Sequence, residues 1–220
     1  MAKSSERSRR RWFSITFVIV VALLILVLRL VEEIGPERTP GDRFVVAKVL
    51  DGDTMELQGG DRLRLLAIDT PEKGEPLHDE ATAFLSRRAL GQVATIEYAN
   101  QRRDRYGRLL GYLYTDTLFV NKAIIDSGYG YLYLFDDNDL RSEQVRLMLA
   151  AQRSAIERRV GLWSIPHEPE ERYINLIGSF RLHRPSCRSV GELVPGRYRE
   201  FRTREEGLAA GLSPCRNCKP

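Results

Sequence analysis

The sequence predicts an α+β fold between residues 43 and 164, flanked by an apolar N-terminal segment and a small Cys/His-bearing C-terminal unit. Three observations predict it. Runs with the two-residue alternation of half-buried strands come first and give way to segments with helical spacing. One apolar run, residues 12–28, broken only by Ser14 and Thr16, follows an arginine-rich tail. All three cysteines lie after residue 186.

The first eleven residues form a basic tail with Lys3, Arg7, Arg9, Arg10 and Arg11. Residues 12–31 are apolar apart from Ser14, Thr16 and Arg29. A membrane span needs roughly 20 such residues, with Trp12 at the interface and Arg29 snorkelling. A cleaved signal peptide has an apolar region of about 7–15 residues ending in small residues, and no such ending follows here. A core helix that is apolar all round has little to bury into at a chain end. The expectation is an uncleaved single-pass anchor. The positive tail then faces the cytoplasm and everything beyond residue 31 lies across the membrane. Residues 32–42, with Pro36, Pro40 and Gly41, read as a tether.

Residues 45–50 read as a first strand. Met55 and Leu57 alternate with Glu56 and Gln58 in a second, and Gly59-Gly60 supplies the turn. Residues 63–68 form a third strand, apolar on both faces apart from Arg64, which Pro71 ends. Residues 79–90 carry Ala81, Phe84, Leu85 and Ala89 at helical spacing, with Gly91 as the stop. Strand 93–98, polar loop 100–108 and strand 109–114 come next. A short helix, 120–126, halts at Gly128, and a long one, 139–160, bears an apolar stripe through Leu140, Val145, Met148, Ala151 and Ala155. Residues 165–172 form an exposed linker rich in Pro and Glu.

The stretch DGDTMELQGGDRLRLLAIDTPE, residues 51–72, concentrates the chemistry. Pairing across Gly59-Gly60 places Asp53 and Asp69 at the same end of the hairpin. Two converging carboxylates repel unless a cation lies between them, and oxygen ligands suit Ca²⁺ or Mg²⁺. Glu72 is then placed to take a proton from water, and Arg64 to hold a phosphoryl oxygen. The competing reading is a solvated hairpin end, since Asp-Gly-Asp is common in turns.

VLDGDT, RLLAIDTPE, DRYGR at residues 104–108 and GLWS at residues 161–164 together resemble the staphylococcal nuclease (thermonuclease) family, in its order and with similar gaps. The resemblance implies a five-stranded OB-type barrel with three helices. It implies Ca²⁺ bound by Asp53, Asp69 and the Thr70 carbonyl, Glu72 as general base, and Arg64 and Arg108 on the phosphate. Asp51 stands behind the metal ligands, and Arg105 and Tyr106 match the positions that hold a terminal phosphate. Residues 73–78 form a shorter loop than the family's, so no substrate contact is carried over to them. OB barrels bind single strands in a groove, where Tyr131 and Tyr133 are candidates to stack bases. Alternating tyrosines also serve simply as cover for a core.

Residues 173–220 hold His183-x3-Cys187 and Cys215-x2-Cys218, the donor set of a closed tetrahedral Zn²⁺ site. So small a unit needs a staple. A disulfide is the alternative, but it leaves one thiol over and His183 without a role. Thr203 to Glu206 is a capping box for a short helix ending at Gly211. HRPSC and EEGLAAGLSPCRNCKP resemble the zinc-binding domain of the Ada DNA-repair protein. His183 replaces that domain's methyl-accepting cysteine, so the repair activity is not carried over.

Net charge is +4 and the pI about 9.0, a mild attraction for polyanions. The expectation is a membrane-anchored Ca²⁺-dependent nuclease acting on DNA or RNA. The alternatives are a binding-only OB module with a zinc knob, and a zinc-dependent DNA sensor on a barrel platform. Binding-only relatives lack part of the Asp, Asp, Glu, Arg, Arg set, which is complete here.

Overall fold

The computed structural model describes residues 42–116, 118–135 and 140–220, with the backbone alone at residues 99 and 100. The predicted tail, anchor and most of the tether lie outside the described residues. Among those described, no helix is long and apolar enough to cross a membrane.

Strands β1 (Asp42–Val49), β2 (Thr54–Leu57) and β3 (Arg62–Leu65) form an antiparallel meander. Strand β5 (Val93–Arg103) pairs with β1, and β6 (Leu109–Thr115) pairs with β5. The closing seam is parallel: Leu63 lies opposite Leu109 and Leu65 opposite Gly111. These five strands make a closed barrel. β1 serves two neighbours, β5 through Asp42 to Val45 and β2 from Val46 onward, with a bulge between Val46 and Lys48 where the strand changes partner. The barrel is filled by Val46, Met55, Leu57, Leu63, Leu65, Ile96 and Leu113, all essentially inaccessible.

Three helices pack on it. Helix α1 (His78–Ala89) buries the predicted Ala81, Phe84, Leu85 and Ala89. Helix α2 (Val120–Asp126) follows the two-residue strand β7 (Leu118–Phe119). Helix α3 (Glu143–Arg158) turns Val145, Met148, Ala151 and Ala155 inward. It starts later than its apolar stripe suggests, and Leu140 stays exposed ahead of it. Gly128 and Gly161 meet backbone to backbone: a Cβ on either would lie 2.2–2.3 Å from the other segment's carbonyl oxygen. That contact seats GLWS, a 3₁₀ turn at Gly161–Ser164, against the end of α2.

Two sequence expectations need correction. The third strand does not run from 63 to 68. Ala67 takes a left-handed φ of 57°, breaking it into β3 and β4 (Ile68–Asp69), because β4 leaves the barrel to pair with β8 (Tyr131–Leu132). Residues 100–103 are strand, not loop: β5 runs on to Arg103, which pairs with Leu109, so the loop shrinks to a turn at residues 104–107.

The C-terminal unit comprises β9 (Tyr173–Leu176), β10 (Arg181–Leu182), β11 (Tyr198–Phe201), α4 (Arg204–Ala209) and β12 (Ser213–Pro214). The capping box forms, with the Thr203 hydroxyl accepting from the Glu206 amide. The unit is docked on the barrel through buried hydrogen bonds. Gln152 accepts from the Leu132 amide and donates to the Leu208 carbonyl, each at 2.8 Å. The Leu134 amide donates to Ser213 Oγ at 2.9 Å. Tyr131 and Trp163 complete an apolar cluster with Tyr173, Leu182, Leu208 and Leu212.

Candidate active site and metal centres

The hairpin β2–β3 and the β4–β8 pair bring the acidic groups together. Thr54 pairs with Arg64, so Asp53 sits at the open end of the hairpin, and the Leu65 amide donates to its carbonyl at 2.8 Å. Asp69 is fixed by its pairing with Tyr131. One guanidinium nitrogen, Nη2 of Arg64, lies 3.0 Å from Asp53 and 3.4 Å from Asp69. The same guanidinium donates to the carbonyls of Leu65 and Ile68, which wraps the Ala67 turn around it.

Asp53 is buried and richly bonded. It accepts from the Thr70 amide (3.1 Å), the Thr70 hydroxyl (2.9 Å) and the Thr54 hydroxyl (3.0 Å). Burial nevertheless pushes its carboxyl up to about 6, against the pull of Arg64 and with the help of Asp51 and Asp69. Asp51 accepts from the Asp53 amide at 3.0 Å and so holds the turn. Gly52 is required here, since a Cβ would come within 2.7 Å of the Thr70 hydroxyl. Two mutually repelling carboxylates, one of them buried, are the chemistry a hard divalent cation neutralises, so Asp53 and Asp69 fit a Ca²⁺ ion.

Glu72 is exposed and lines a pocket of about 440 Å³ together with Asp69 and Thr70. Arg108 comes from the turn after β5. Asp104 organises that turn, accepting from the amides of Tyr106 and Arg108 and from Arg108 Nε at 2.8 Å. Arg108 and Arg64 line one groove with Arg105 and Tyr106. Tyr106 is 68% exposed, with both Arg105 and Arg108 over its ring.

The structure does not leave Tyr131 and Tyr133 open. The Tyr131 hydroxyl accepts from Arg204 and its ring meets Trp163 edge-on. Tyr133 is 6% exposed, and Arg181 and Arg216 lie over its ring. The C-terminal unit covers both. The loop at residues 73–78 also contacts that unit, through an ion pair between Glu75 and Lys219.

Sequence reasoning missed Arg216. From the Cys215–Cys218 knuckle it forms a two-pronged ion pair with Asp69, through Nε and Nη2. Its sequence position carries no signal for this contact, because 147 residues separate the partners. Asp104 was legible only as part of DRYGR, not as the group that aims Arg108.

The second centre follows from a parallel strand pair. β10 and β12 run side by side with Leu182 opposite Pro214, which sets His183 beside Cys215. Tight turns then return Cys187 and Cys218 to the same point. The four ligand atoms lie within 4.8 Å of one another, and all three cysteines are free thiols. His183 Nδ1 is buried with no hydrogen-bond partner. Burial pushes the Cys218 thiol up to about 12. An orphaned imidazole nitrogen and buried sulfurs fit Zn²⁺, whose charge would hold the thiolates.

A family model described as "Staphylococcal nuclease homologue" matches residues 62–165. An uncharacterized endonuclease of Escherichia coli O157:H7 is 33% identical over 123 residues, 54% of this chain and 75% of that protein. The chain belongs to the staphylococcal nuclease family. Thermonucleases of Staphylococcus hyicus and Staphylococcus intermedius are 27% and 26% identical, over 67% and 66% of this chain and 94% of each of those proteins. The family match spans Arg64, Asp69, Thr70, Glu72, Arg105, Tyr106 and Arg108.

Proposed function

We propose that this member of the staphylococcal nuclease family is a Ca²⁺-dependent nuclease that hydrolyses phosphodiester bonds of DNA or RNA and leaves 3′-phosphate ends. One observation carries the reading: Asp53 and Asp69, from separate elements, converge on a single Arg64 nitrogen beside a pocket that Glu72 lines.

Asp53, Asp69 and the Thr70 carbonyl would hold Ca²⁺, which when bound polarises the phosphoryl oxygen as a Lewis acid. Glu72 takes a proton from the attacking water, whose oxygen bonds to phosphorus as the bond to the 5′-oxygen breaks. The 5′-oxygen leaves and takes a proton from solvent, while Glu72 releases to solvent the one it took. Arg108, aimed by Asp104, and Arg64 hold the non-bridging oxygens, where charge grows in the transition state. Arg105 and Tyr106 steady the neighbouring phosphate. His183, Cys187, Cys215 and Cys218 would hold a structural Zn²⁺ that folds the C-terminal unit. The apolar run at residues 12–31 supports anchorage in a membrane, with the nuclease on the extracytoplasmic side.

The test is cleavage of a single-stranded oligonucleotide with Ca²⁺, with Mg²⁺ and with chelator. Arg108→Ala lowers kcat by about 10²–10³, the value of one such donor, and Glu72→Gln abolishes turnover while leaving folding intact. Parent-like rates in either variant overturn the mechanism.

A further inference from the structure

A groove of about 770 Å³ runs from the barrel mouth onto the C-terminal unit, within the ~300–1,000 Å³ of ligand sites. Five arginines line it against one acid, Asp104, which is already paired with Arg108. Arg64, Arg105 and Arg108 come from the barrel. Arg181, on β10, and Arg216, in the knuckle, come from the C-terminal unit. Both of these lie over the Tyr133 ring, with guanidinium carbons 3.9 Å and 4.7 Å from its centre. The ring restrains both side chains, so little rotamer freedom remains to be lost on binding an anion.

Two details point to a ligand. Arg181 lines the groove with its guanidinium held over Tyr133, and no carboxylate pairs with it among the described residues. Arg216 spends Nε and Nη2 on Asp69, and thus stands where the arginine groove meets the acidic pocket. Phe135 and Tyr106, 50% and 68% exposed, lie along the same groove, each already beside an arginine. Planar cations flanked by exposed aromatic rings, continuous with the arginines assigned to the scissile phosphate, match a single polynucleotide strand.

We propose that Arg181 and Arg216 form a second phosphate subsite, so that the C-terminal unit builds one wall of the nucleic-acid groove. This inference rests on the nuclease reading above. With one phosphate at Arg64 and Arg108, a further phosphate along the same strand bonds the groove-facing edge of the Arg181 guanidinium and the remaining edge of Arg216.

The test is binding of a fluorescein-labelled single-stranded oligodeoxynucleotide to the full-length protein carrying Glu72→Gln, by anisotropy across a sodium chloride series. Arg181→Gln and Arg216→Gln each weaken binding several-fold. Each also flattens the slope of log affinity against log salt by about 0.7, the share of one phosphate contact on a single strand. Zinc content and melting temperature are measured alongside. If Arg216→Gln loses zinc, Arg181→Gln decides alone. Parent-like affinity and slope in the variants, while the Glu72 protein still cuts the oligonucleotide with Ca²⁺, overturn the subsite and leave the nuclease reading standing. Tighter binding in Arg216→Gln overturns it too, making that arginine a cover over Asp69. A parent that neither binds nor cuts removes both readings.

Discussion

Asp53 carries a charge that its surroundings oppose. Burial holds its carboxyl near 6 despite the ion pair with Arg64, so keeping it ionised at neutral pH draws on folding free energy. With the carboxyl raised, the calcium-free fold should lose stability as pH rises from about 4 through 6; Asp53→Asn should flatten that limb in melts across the range and abolish cleavage, and an unchanged limb would contradict this account. Asp104 is the opposite case. Burial works to raise its carboxyl, but hydrogen bonds from Arg108 and the turn amides win and hold it below the usual range. A depressed carboxyl stabilises the fold above its unfolded value, and that contribution is lost as pH falls through the folded value. Asp104→Asn should flatten the acid limb of the stability–pH curve and lower kcat through a misaimed Arg108, read from melts between about pH 2 and 6 and from steady-state kinetics.

At the scale of elements, the pair Gly128 and Gly161 fixes how GLWS closes on α2. Both adopt positive φ and neither has room for a methyl group. Gly161→Ala should cost at least ~1–3 kcal/mol and lower the melting temperature by several degrees in a calorimetric scan, with the catalytic residues untouched. Helices α1, α2 and α4 were legible because their information is local: apolar spacing, a stop glycine and, for α4, the Thr203 cap. What was not legible depends on partners far away in sequence. The break at Ala67 exists because β4 pairs with β8, more than sixty residues on. The extension of β5 to Arg103 exists because Leu109 lies across from it. The acids and arginines of the site were legible as motif residues, yet nothing in DRYGR says that Asp104 aims Arg108, and nothing in CRNC says that Arg216 reaches Asp69.

At the scale of the molecule, the contacts dock the C-terminal unit on the barrel. Gln152, fully buried, ties α3 to β8 on one side and to α4 on the other. Gln152→Leu leaves the Leu132 amide unpaired, at about 1–3 kcal/mol, and removes one of the two bonds to the Leu208 carbonyl, which keeps the Gly211 amide. Denaturant titration should show that loss, and zinc should leave the variant faster when challenged with a chromogenic chelator. Removing the proposed zinc from the parent should in turn disorder the knuckle and release Asp69 from Arg216, visible as faster amide exchange across residues 204–218 with the barrel amides unchanged.

The contact between Asp69 and Arg216 also sets an order of events during synthesis. The chain emerges from the ribosome N-terminus first, and the barrel's strands and helices are available to fold before residue 216 has been made. Until then the groove has only the wall made by Arg64, Arg105 and Arg108, and Tyr133 lacks its covering guanidinium groups. A nascent chain still held by its ribosome thus carries the barrel's acids and arginines before the residues that cap Asp69 and Tyr133 exist.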